Sequence, residues 1–376
     1  RGGTTMIIDF ACPNKGETLQ YGLDLWHKKA DGRTACDYSF HMTIDDWNEG
    51  IIAELPKMFE QGISSFKMYM TYPAMMIGDE NIFRALQELK KLGGIAGVHC
   101  ENAGVIDALI AEKKAAGELS PAAHPQCRPA ELEAEAVGRL LKMAKLADVP
   151  VVVVHLSSAA GLREIEQARA MGQKVFVETC PHYLLFDKTV LREKGAYAKC
   201  NPPFRSRESV EKLWDYVFDG TIDTIGSDHG PYSDEEKTRE GNFFLEYSGF
   251  GGYDAMLPGL ITEGVHKRGL PLTRLAALTA GNAAKIMGLA PKKGSLMPGR
   301  DADIVVVDMD EEWVFDGTKS LSKTKSVHNI YHGAHMKGRV KQTWVRGKLV
   351  YKDGTIMADD GYGIYIPKQK KTGGAE

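Results

Sequence analysis

Short β-type runs of apolar residues alternate with longer amphipathic segments through most of the chain. The intervening segments, such as ENIFRALQELKKLG, EAEAVGRLLKMAKLA and GLREIEQARAMG, carry apolar residues spaced by three and four, the period of a helix with one buried face. In VPVVVV the apolar residues are nearly continuous, as expected for a strand covered on both faces. Seven runs are predicted to be strands: TTMIIDF, CDYSFHM, SSFKMYM, GIAGVHC, VPVVVVHL, KVFVETC and DTIGSD.

The alternation of strand and helix predicts parallel pairing through right-handed crossovers. A closed barrel of this kind has eight strands, so we expect the first strand to precede Arg1. An open doubly wound sheet is the alternative, but it normally carries a glycine-rich phosphate fingerprint, and RGGTT has the wrong spacing. We therefore predict the α/β class, as a (β/α)8 TIM-type barrel that lacks its first strand in this chain.

The pattern changes after Leu289. Glycine and proline turns surround the β-type runs of KKGSLMPGRDADIVVVDMD, and KQTWVRGKLVYKDG is predicted to form a hairpin. We interpret residues 1–290 as the barrel and residues 291–376 as the C-terminal part of a small β-sandwich subdomain with its tail. The last residues, KQKKTGGAE, are polar and are expected to fray.

Composition and charge exclude several classes of protein. The 376 residues are 43% hydrophobic with a formal net charge of -3, which gives no electrostatic reason to bind nucleic acid or a membrane surface. No apolar run reaches the roughly 18 residues of a membrane-spanning helix. The six cysteines form no CxxC pair, so a thiolate zinc site is not predicted, and a reducing, cytoplasmic setting suits them best. The chain opens without methionine, which leaves an earlier targeting segment open.

Titratable residues stand at the ends of several predicted strands. His99 ends GIAGVHC, His155 ends VVVVHL, His182 follows VFVETC, and Asp228 ends DTIGSD. Any one of them alone is more often a hydrogen-bonded structural residue or a turn cap. The active site of a parallel barrel lies at the carboxyl ends of its strands, so the set together predicts one shared site. Imidazole and carboxylate groups suit zinc and similar divalent metals.

Lys67 lies in the middle of the apolar run SSFKMYM, where an unpaired ammonium is costly to bury. Side chains alternate along a strand, so Ser65 and Tyr69 share its face and three apolar residues occupy the other face. We expect the polar face to point into the barrel, although a lone lysine can also reach out to solvent. An amine that reacts with carbon dioxide becomes an anionic carbamate, whose two oxygens can bridge two metal ions.

Seven motifs stand in order along nearly the whole chain: SSFKMYMTY, VHCEN, VVHLSSAAGL, ETCPHYLL, CNPPFR, GSDHGPY and KKGSLMPGRDADIVVVD. Together they resemble the cyclic amidohydrolases, in the dihydropyrimidinase and hydantoinase branch. The resemblance implies a barrel with a β-sandwich subdomain, a homotetramer, and ring opening of a cyclic ureide such as a hydantoin or dihydropyrimidine to an N-carbamoyl amino acid. It also implies two divalent metal ions, typically zinc, bridged by carboxylated Lys67.

The same resemblance assigns roles to individual residues. His99 and His155 would bind one metal, while Asp228 would bind the other and carry the proton of the reaction. Tyr72 would contact the substrate and donate a hydrogen bond to the developing oxyanion. Asn201 holds the place of a substrate-binding residue. His182 is interpreted as a supporting residue, because relatives can carry glutamine there. His229, which follows Asp228, is interpreted in the same way.

Two departures from the family pattern leave alternatives open. The family has a His-x-His pair at the end of its first strand, and this sequence contains none; YHGAH has the wrong spacing. We expect the pair to precede Arg1, so this chain alone is expected to bind metal weakly and to have little or no activity. EYSGFGGYDAMLP replaces an Asn-Gly segment of hydantoinases and is closer to allantoinases and dihydroorotases. Those specificities, or a non-catalytic scaffold, are the alternatives.

Overall fold

The computed structural model describes residues 1–238 and 241–368. The tail that was expected to fray therefore lies outside the described residues, apart from Lys368. Within the described ranges, a curled parallel sheet contains seven strands in sequence order. Its strands are β1 (Met6–Ala11), β2 (Asp37–Thr43), β3 (Ser65–Tyr69), β4 (Ile95–His99), β5 (Val151–Val153), β6 (Val175–Thr179) and β7 (Thr224–Ile225).

Each strand of this sheet overlaps one of the seven predicted runs, and every adjacent pair is parallel. The predicted α/β barrel class is thereby confirmed. Lys67 lies between Thr43 of β2 and Gly97 of β4 in the register of the sheet. The sheet ends at β1 on one side and at β7 on the other.

Helices follow the strands and pack on the outside of the sheet. The three helical segments predicted from apolar spacing overlap α3, α6 and α7, and α3 buries Ile82, Leu86 and Leu89 on one face. The α-helices are α1 (Leu19–Ala30), α2 (Glu49–Glu60), α3 (Asp79–Leu92), α4 (Ala103–Ala115), α5 (His124–Cys127), α6 (Ala130–Ala147), α7 (Ala159–Ala170), α8 (Pro181–Leu185), α9 (Val190–Lys194), α10 (Arg207–Asp219), α11 (Asp234–Lys237), α12 (Tyr253–Leu260), α13 (Leu272–Ala276) and α14 (Asn282–Ile286).

Side-chain caps fix where two of these helices begin. Asn102 accepts a hydrogen bond from the Val105 amide at the start of α4, and Ser158 accepts one from the Gly161 amide at the start of α7. A cap of this kind contributes about 1 kcal/mol and sets the entry angle of the chain. Because each cap stands three residues after a strand-end histidine, it also restricts the loop on which His99 or His155 lies.

A second sheet of four antiparallel strands follows the parallel one, in the order β11-β10-β9-β8. The predicted hairpin of KQTWVRGKLVYKDG is confirmed, since β9 and β10 pair on either side of Arg346 and Gly347. The strands are β8 (Ile304–Val314), β9 (His335–Val345), β10 (Lys348–Lys352) and β11 (Thr355–Ile356). Among the described residues, no helix is both long enough and apolar enough to span a membrane.

A buried ion-pair network joins the two sheets. Asp37 of β2 is fully buried, and its carboxylate accepts hydrogen bonds from Lys293 Nζ at 2.5 Å and from Arg346 Nε at 3.1 Å. Lys293 also donates to Asp303 at 2.9 Å, just before β8. Removal of one partner would leave buried charge uncompensated, which typically costs about 3–5 kcal/mol. The network therefore fixes the antiparallel sheet against the barrel.

Candidate active site

One cavity of about 1890 Å³ lies at the carboxyl ends of the parallel strands and continues along the open side of the sheet between β1 and β7. Every residue to which the sequence assigned a catalytic, substrate or metal role lines it. These residues are Lys67, Tyr72, His99, His155, Asn201 and Asp228. The structure thus brings the six side chains together, whereas His182 does not line the cavity.

Lys67 is 3% exposed, and its amine points into this cavity. Burial lowers its pKa to about 8, against the opposing effect of the Asp228 and Glu178 carboxylates. The amine lies 4.8 Å from the Tyr69 ring centre and 5.6 Å from that of Phe10. Among the described residues it has no hydrogen-bond or ion-pair partner. A buried amine of this kind is partly neutral near physiological pH, which is the form that reacts with carbon dioxide.

The strand alternation predicted around Lys67 is confirmed. Phe66, Met68 and Met70 are buried in the core between the sheet and its helices. Ser65, on the face of Lys67, is buried toward the opposite end of the barrel and lies 2.6 Å from His41 Nδ1.

His99 and His155 are in direct contact. The distance from His99 Nδ1 to His155 Nε2 is 2.9 Å, and none of the residues that the structure describes forms a hydrogen bond with His155 Nδ1. Burial lowers the pKa of both imidazoles well below the usual value, and the nearby Lys67 charge acts in the same direction. Both rings are therefore neutral. Two neutral imidazole nitrogens at this separation can bind one metal ion.

A charged pair stands behind His99. Glu101 accepts at 2.7 Å from His99 Nε2, and Arg128 Nη1 donates to the same Glu101 oxygen at 2.5 Å. A carboxylate that accepts from one ring nitrogen fixes the tautomer, so that the other nitrogen presents its lone pair. His99 Nδ1 is the nitrogen left to face His155 and the cavity.

Three residues of the site hold backbone conformations that are unfavourable for side chains other than glycine. The φ angles are 73° at Tyr72, 40° at His155 and 47° at Asp228. Each of these residues follows a strand of the parallel sheet directly or within a few positions. Positive φ at a non-glycine residue costs about 1–3 kcal/mol and tends to cluster at functional sites. The remaining described examples, Asp148, Arg346 and Asp353, lie at a helix end or in hairpin turns.

Tyr72 and Asn201 form a polar group opposite the histidines. The Tyr72 ring centre lies 5.0 Å from that of His99, and the Arg128 guanidinium carbon lies 5.7 Å from the Tyr72 ring centre. Burial raises the pKa of Tyr72 well above the usual value, so its hydroxyl keeps its proton and can donate a hydrogen bond. Asn201 Nδ2 donates to Ser248 Oγ at 3.0 Å, which orients the amide group.

Two carboxylates face the Lys67 amine. Asp228 lines the cavity; desolvation raises its pKa, and the Lys67 charge lowers it. Glu178 of β6 has a pKa raised to about 7 by burial, with Lys67 opposing and Asp228 adding to the shift. Gly226 leaves room for it, because a Cβ there would lie 2.5 Å from the Glu178 carboxylate. Glu178 was not among the residues predicted for the site, although a glutamate inside the apolar run VFVET is the same kind of signal as a lysine inside SSFKMYM.

His229 and His182 have different surroundings, although the sequence predicted the same supporting role for both. His229 Nδ1 accepts at 3.0 Å from the Gly252 amide, and its ring stacks on Tyr253 with centres 3.9 Å apart. It therefore fixes the loop after β7, in agreement with a supporting role. His182 is fully buried, and neither of its ring nitrogens has a hydrogen-bond partner in residues 1–238 and 241–368.

The chemistry of these residues fits a metal centre. His99 and His155 offer neutral nitrogens, and Asp228 offers a carboxylate. No described residue lies within hydrogen-bond distance of the Lys67 amine to hold it as an ammonium. Soft and borderline divalent ions such as zinc accept this set of ligands.

Residues 33–350 match the sequence profile of the amidohydrolase family. The chain belongs to the amidohydrolase family. D-Hydantoinase from Streptomyces coelicolor is 35% identical over 373 residues, which cover 98% of this chain and 79% of that protein. D-Phenylhydantoinase from Escherichia coli O1:K1 is 35% identical over 374 residues, covering 98% of this chain and 80% of that protein.

Solved structures place this amidohydrolase beside the same branch of the family. Dihydropyrimidinase from Brevibacillus agri NCHU1002 aligns with a TM-score of 0.94 and 33% identity, over 98% of this chain and 81% of that one. The inactive dihydroorotase-like domain of a Chaetomium thermophilum CAD-like multifunctional protein aligns with a TM-score of 0.67 and 14% identity, over 97% of this chain and 89% of that one, which shows a shared fold alone. The predicted family and its hydantoinase and dihydropyrimidinase branch are confirmed.

Glu101 and Arg128 of this amidohydrolase also escaped the sequence analysis. Glu101 was quoted within VHCEN without a role, and Arg128 lies outside every quoted motif. Glu101 lies two residues after His99, so the alternation of side chains along a strand predicts that both face the same side. This spacing is a signal that could have identified Glu101. Arg128 is brought to Glu101 from just before α6, across 27 residues, and nothing in the sequence marks that contact.

Proposed function

We propose that this protein hydrolyses the ring amide of a cyclic ureide, such as a hydantoin or dihydropyrimidine, to an N-carbamoyl amino acid. The observation that carries the proposal is the Lys67 amine, which is buried without an acceptor in the same cavity as His99, His155 and Asp228. Membership of the amidohydrolase family and the similarity to proteins named D-hydantoinase and dihydropyrimidinase support this substrate class.

Two divalent metal ions, with zinc as the expected kind, are part of the proposal. Lys67, carboxylated by carbon dioxide, would bridge them, His99 and His155 would hold one, and Asp228 would hold the other. When bound, the ions supply Lewis-acid polarisation of the ring carbonyl and a water of lowered pKa. The sequence contains no His-x-His pair, so these four residues are the ligand set that this sequence offers.

The residues of the chain would divide the remaining work between them. Water adds to the ring carbonyl carbon, and Asp228 takes the proton that the water loses. The ring C–N bond then breaks, and Asp228 returns that proton to the leaving nitrogen. Tyr72 donates a hydrogen bond to the oxyanion that develops on the carbonyl oxygen. Asn201, oriented by Ser248, would bind the amide edge of the ring.

Rates on four substrates test the specificity. We expect the full-length, zinc-loaded protein to open hydantoin and dihydrouracil rings at least about tenfold faster, in kcat/KM, than it opens allantoin or dihydroorotate. Higher rates on allantoin or dihydroorotate would assign the protein to one of the alternative specificities instead.

Metal analysis tests the rival proposal of a non-catalytic scaffold. Zinc bound in stoichiometric amount, lost in Lys67→Ala and retained in Lys368→Met, supports an enzyme. Absence of bound zinc from both the wild-type protein and the variants, together with no turnover of any ureide, supports the scaffold. The identity of 33% to a dihydropyrimidinase and of 35% to a D-hydantoinase favours the enzyme.

The proposal also includes the oligomeric state of the protein, its cellular compartment and its division into domains. A homotetramer follows from the family resemblance and is checked by mass determination in solution. All six cysteines are free, which suits the reducing cytoplasm. The division into residues 1–290 and 291–376 is supported by the antiparallel sheet, which begins at Ile304.

A further inference from the structure

Three side chains of different chemistry converge beside the cavity. Cys180 Sγ, a ring nitrogen of His182 and a carboxylate oxygen of Asp228 all lie within 4.8 Å of one another. Cys180 directly follows β6, His182 lies in the first turn of α8, and Asp228 follows the neighbouring strand β7. Parallel pairing of β6 with β7 brings the two loops side by side. Of the three, only Asp228 has a role in the proposed reaction.

His182 is the unusual member of this group. It is 0% exposed, and within the described part of the chain neither ring nitrogen has a hydrogen-bond partner. The rings of Tyr183, Phe250 and Phe204 surround it, with centres 4.2 Å, 5.0 Å and 5.8 Å away. A buried polar group without a hydrogen-bond partner is destabilising and calls for an explanation such as a bound ion. A neutral imidazole in an apolar enclosure keeps a free lone pair, which is what a metal ligand needs.

Cys180 supplies the second donor. Its thiol is fully buried, forms no disulfide, and has no hydrogen-bond partner among the described residues. Burial raises its pKa well above the usual value, and the Asp228 and Glu178 carboxylates act in the same direction. The free thiol is therefore protonated. A cation that binds the sulfur must displace this proton to solvent, so the S–H bond breaks as a sulfur–metal bond forms and no oxidant is required.

We propose that Cys180, His182 and Asp228 form a binding site for a thiophilic divalent cation, of the chemical class of Zn²⁺ and Cd²⁺. Thiolate, imidazole and carboxylate together favour such ions over Mg²⁺ and Ca²⁺, which prefer oxygen ligands. Asp228 opens to the cavity and gives the cation its route of entry, whereas the other two donors lie behind it. The site shares Asp228 with the proposed catalytic centre, but its other donors are Cys180 and His182 instead of His99, His155 and carboxylated Lys67.

Occupation of this site has a consequence for catalysis that rests on the proposed function. A cation held by Cys180 and His182 also holds the Asp228 carboxylate, which is then unable to move the proton between water and the leaving nitrogen. The site would therefore be inhibitory. Excess thiophilic cation would stop ring opening by taking Asp228 from the catalytic centre, even while His99, His155 and Lys67 keep their metal.

Binding is tested by titration of the full-length, zinc-loaded protein with CdCl₂, monitored by the ultraviolet absorption of thiolate-to-cadmium charge transfer. We expect one thiolate band per chain that disappears in Cys180→Ala and in the near-isosteric Cys180→Ser. His182→Gln should weaken cadmium binding at least about tenfold. Cys127→Ala, which removes another fully buried thiol, should leave the band unchanged. MgCl₂ should produce no competition.

Two outcomes overturn the proposal, and the readout separates it from the proposed function. A band that persists in Cys180→Ser, or an unchanged affinity in folded His182→Gln, means that cadmium binds elsewhere. Thermal unfolding identifies any variant that fails to fold. The variants that do fold then decide whether cadmium binds at this site. The band needs no turnover, so a cadmium site in a protein without ureide hydrolysis would refute the proposed function alone. In an active protein, Cys180→Ala should resist cadmium inhibition at least about tenfold, and equal inhibition would refute the inhibitory role.

Discussion

Two of the buried lysines, Lys67 and Lys368, lie toward opposite ends of the parallel sheet, and their surroundings differ. Lys67 faces the cavity and is 3% exposed, while Lys368 enters beside the amino-terminal ends of the strands and is 4% exposed. Lys368 Nζ donates to the Phe40 carbonyl oxygen at 2.7 Å and makes a short hydrogen bond with Ser65 Oγ. Among the described residues, Lys67 has aromatic rings nearby but no acceptor within hydrogen-bond distance.

Burial alone therefore does not distinguish a structural lysine from a reactive one. It lowers the pKa of both amines, well below the usual value for Lys368 and to about 8 for Lys67, where Asp228 and Glu178 offset part of the effect. The hydrogen bonds of Lys368 connect the chain after β11 to β2 and β3, and they occupy its amine. The amine of Lys67 is unoccupied and faces neutral imidazoles and carboxylates, an arrangement that suits carbamate formation.

Lys67→Ala should have the largest effect on catalysis. Loss of the bridging carbamate should lower kcat/KM on hydantoin by about 10³-fold or more, because both metal ions lose a ligand. The melting temperature should be little changed, since the amine makes no hydrogen bond that folding depends on. Addition of a short carboxylic acid should restore part of the activity. Activity equal to that of the wild-type protein, without added acid, would refute the carbamate.

Tyr72→Phe should come next. Removal of the hydroxyl deletes one donor to the oxyanion, which typically lowers kcat by about 10²–10³-fold. The ring and its contact with His99 remain, so stability and zinc content should stay the same. Tyr21→Phe, at an exposed position, is the matched control. A change confined to KM would mean that Tyr72 binds the substrate without stabilising the transition state.

Glu101→Gln should weaken zinc binding by about 10–100-fold, the range typical for residues that orient a metal-binding histidine. The amide loses the charge that fixes the His99 tautomer and pairs with Arg128. Zinc affinity is measured by competition with a chelator. The exposed Glu118 supplies the control, because Glu118→Gln removes a surface ion pair with Lys113 and should change nothing. Equal affinity in both variants would remove Glu101 from the site.

The pH dependence of carboxylation sharpens the comparison further. The pKa of Lys67 is lowered to about 8, so the neutral, reactive amine increases as pH rises through that value. At a fixed concentration of dissolved carbon dioxide, reactivation of metal-free protein by zinc should be about tenfold faster at pH 9 than at pH 7. A rate that stays level or falls over this interval would show that deprotonation of Lys67 does not limit the reaction.

Lys368→Met should have the smallest effect on catalysis and a measurable effect on stability. The substitution leaves the Phe40 carbonyl without its donor, which should lower the free energy of unfolding by about 1–3 kcal/mol. Activity of the folded protein should stay within about twofold of the wild-type value, because the amine lies away from the reacting groups. Chemical denaturation and hydantoin turnover measure the two quantities. If Lys368→Met lost as much activity as Lys67→Ala, the distinction between a structural Lys368 and a reactive Lys67 would be wrong.

The sequence predicts the site residues at the carboxyl ends of the parallel strands better than the contacts at their amino ends, for a physical reason. Strand alternation predicts that Lys67 points into the barrel. The positions of His99, His155 and Asp228 at strand ends predict that they share one site. These inferences use only local periodicity. The contact between Lys368 and Ser65 joins positions 303 apart in the chain, and the contact between Lys293 and Asp37 spans 256. Such contacts depend on how the chain returns beneath the barrel, which periodicity does not encode.

Carbon-13 NMR of the full-length, zinc-loaded protein equilibrated with ¹³C-bicarbonate tests the central claim most directly. The account predicts one protein-bound carbamate signal in the wild-type protein, its loss in Lys67→Ala, and its retention in Lys368→Met. An active, zinc-loaded protein without that signal, or a signal that survives in Lys67→Ala, would contradict the account.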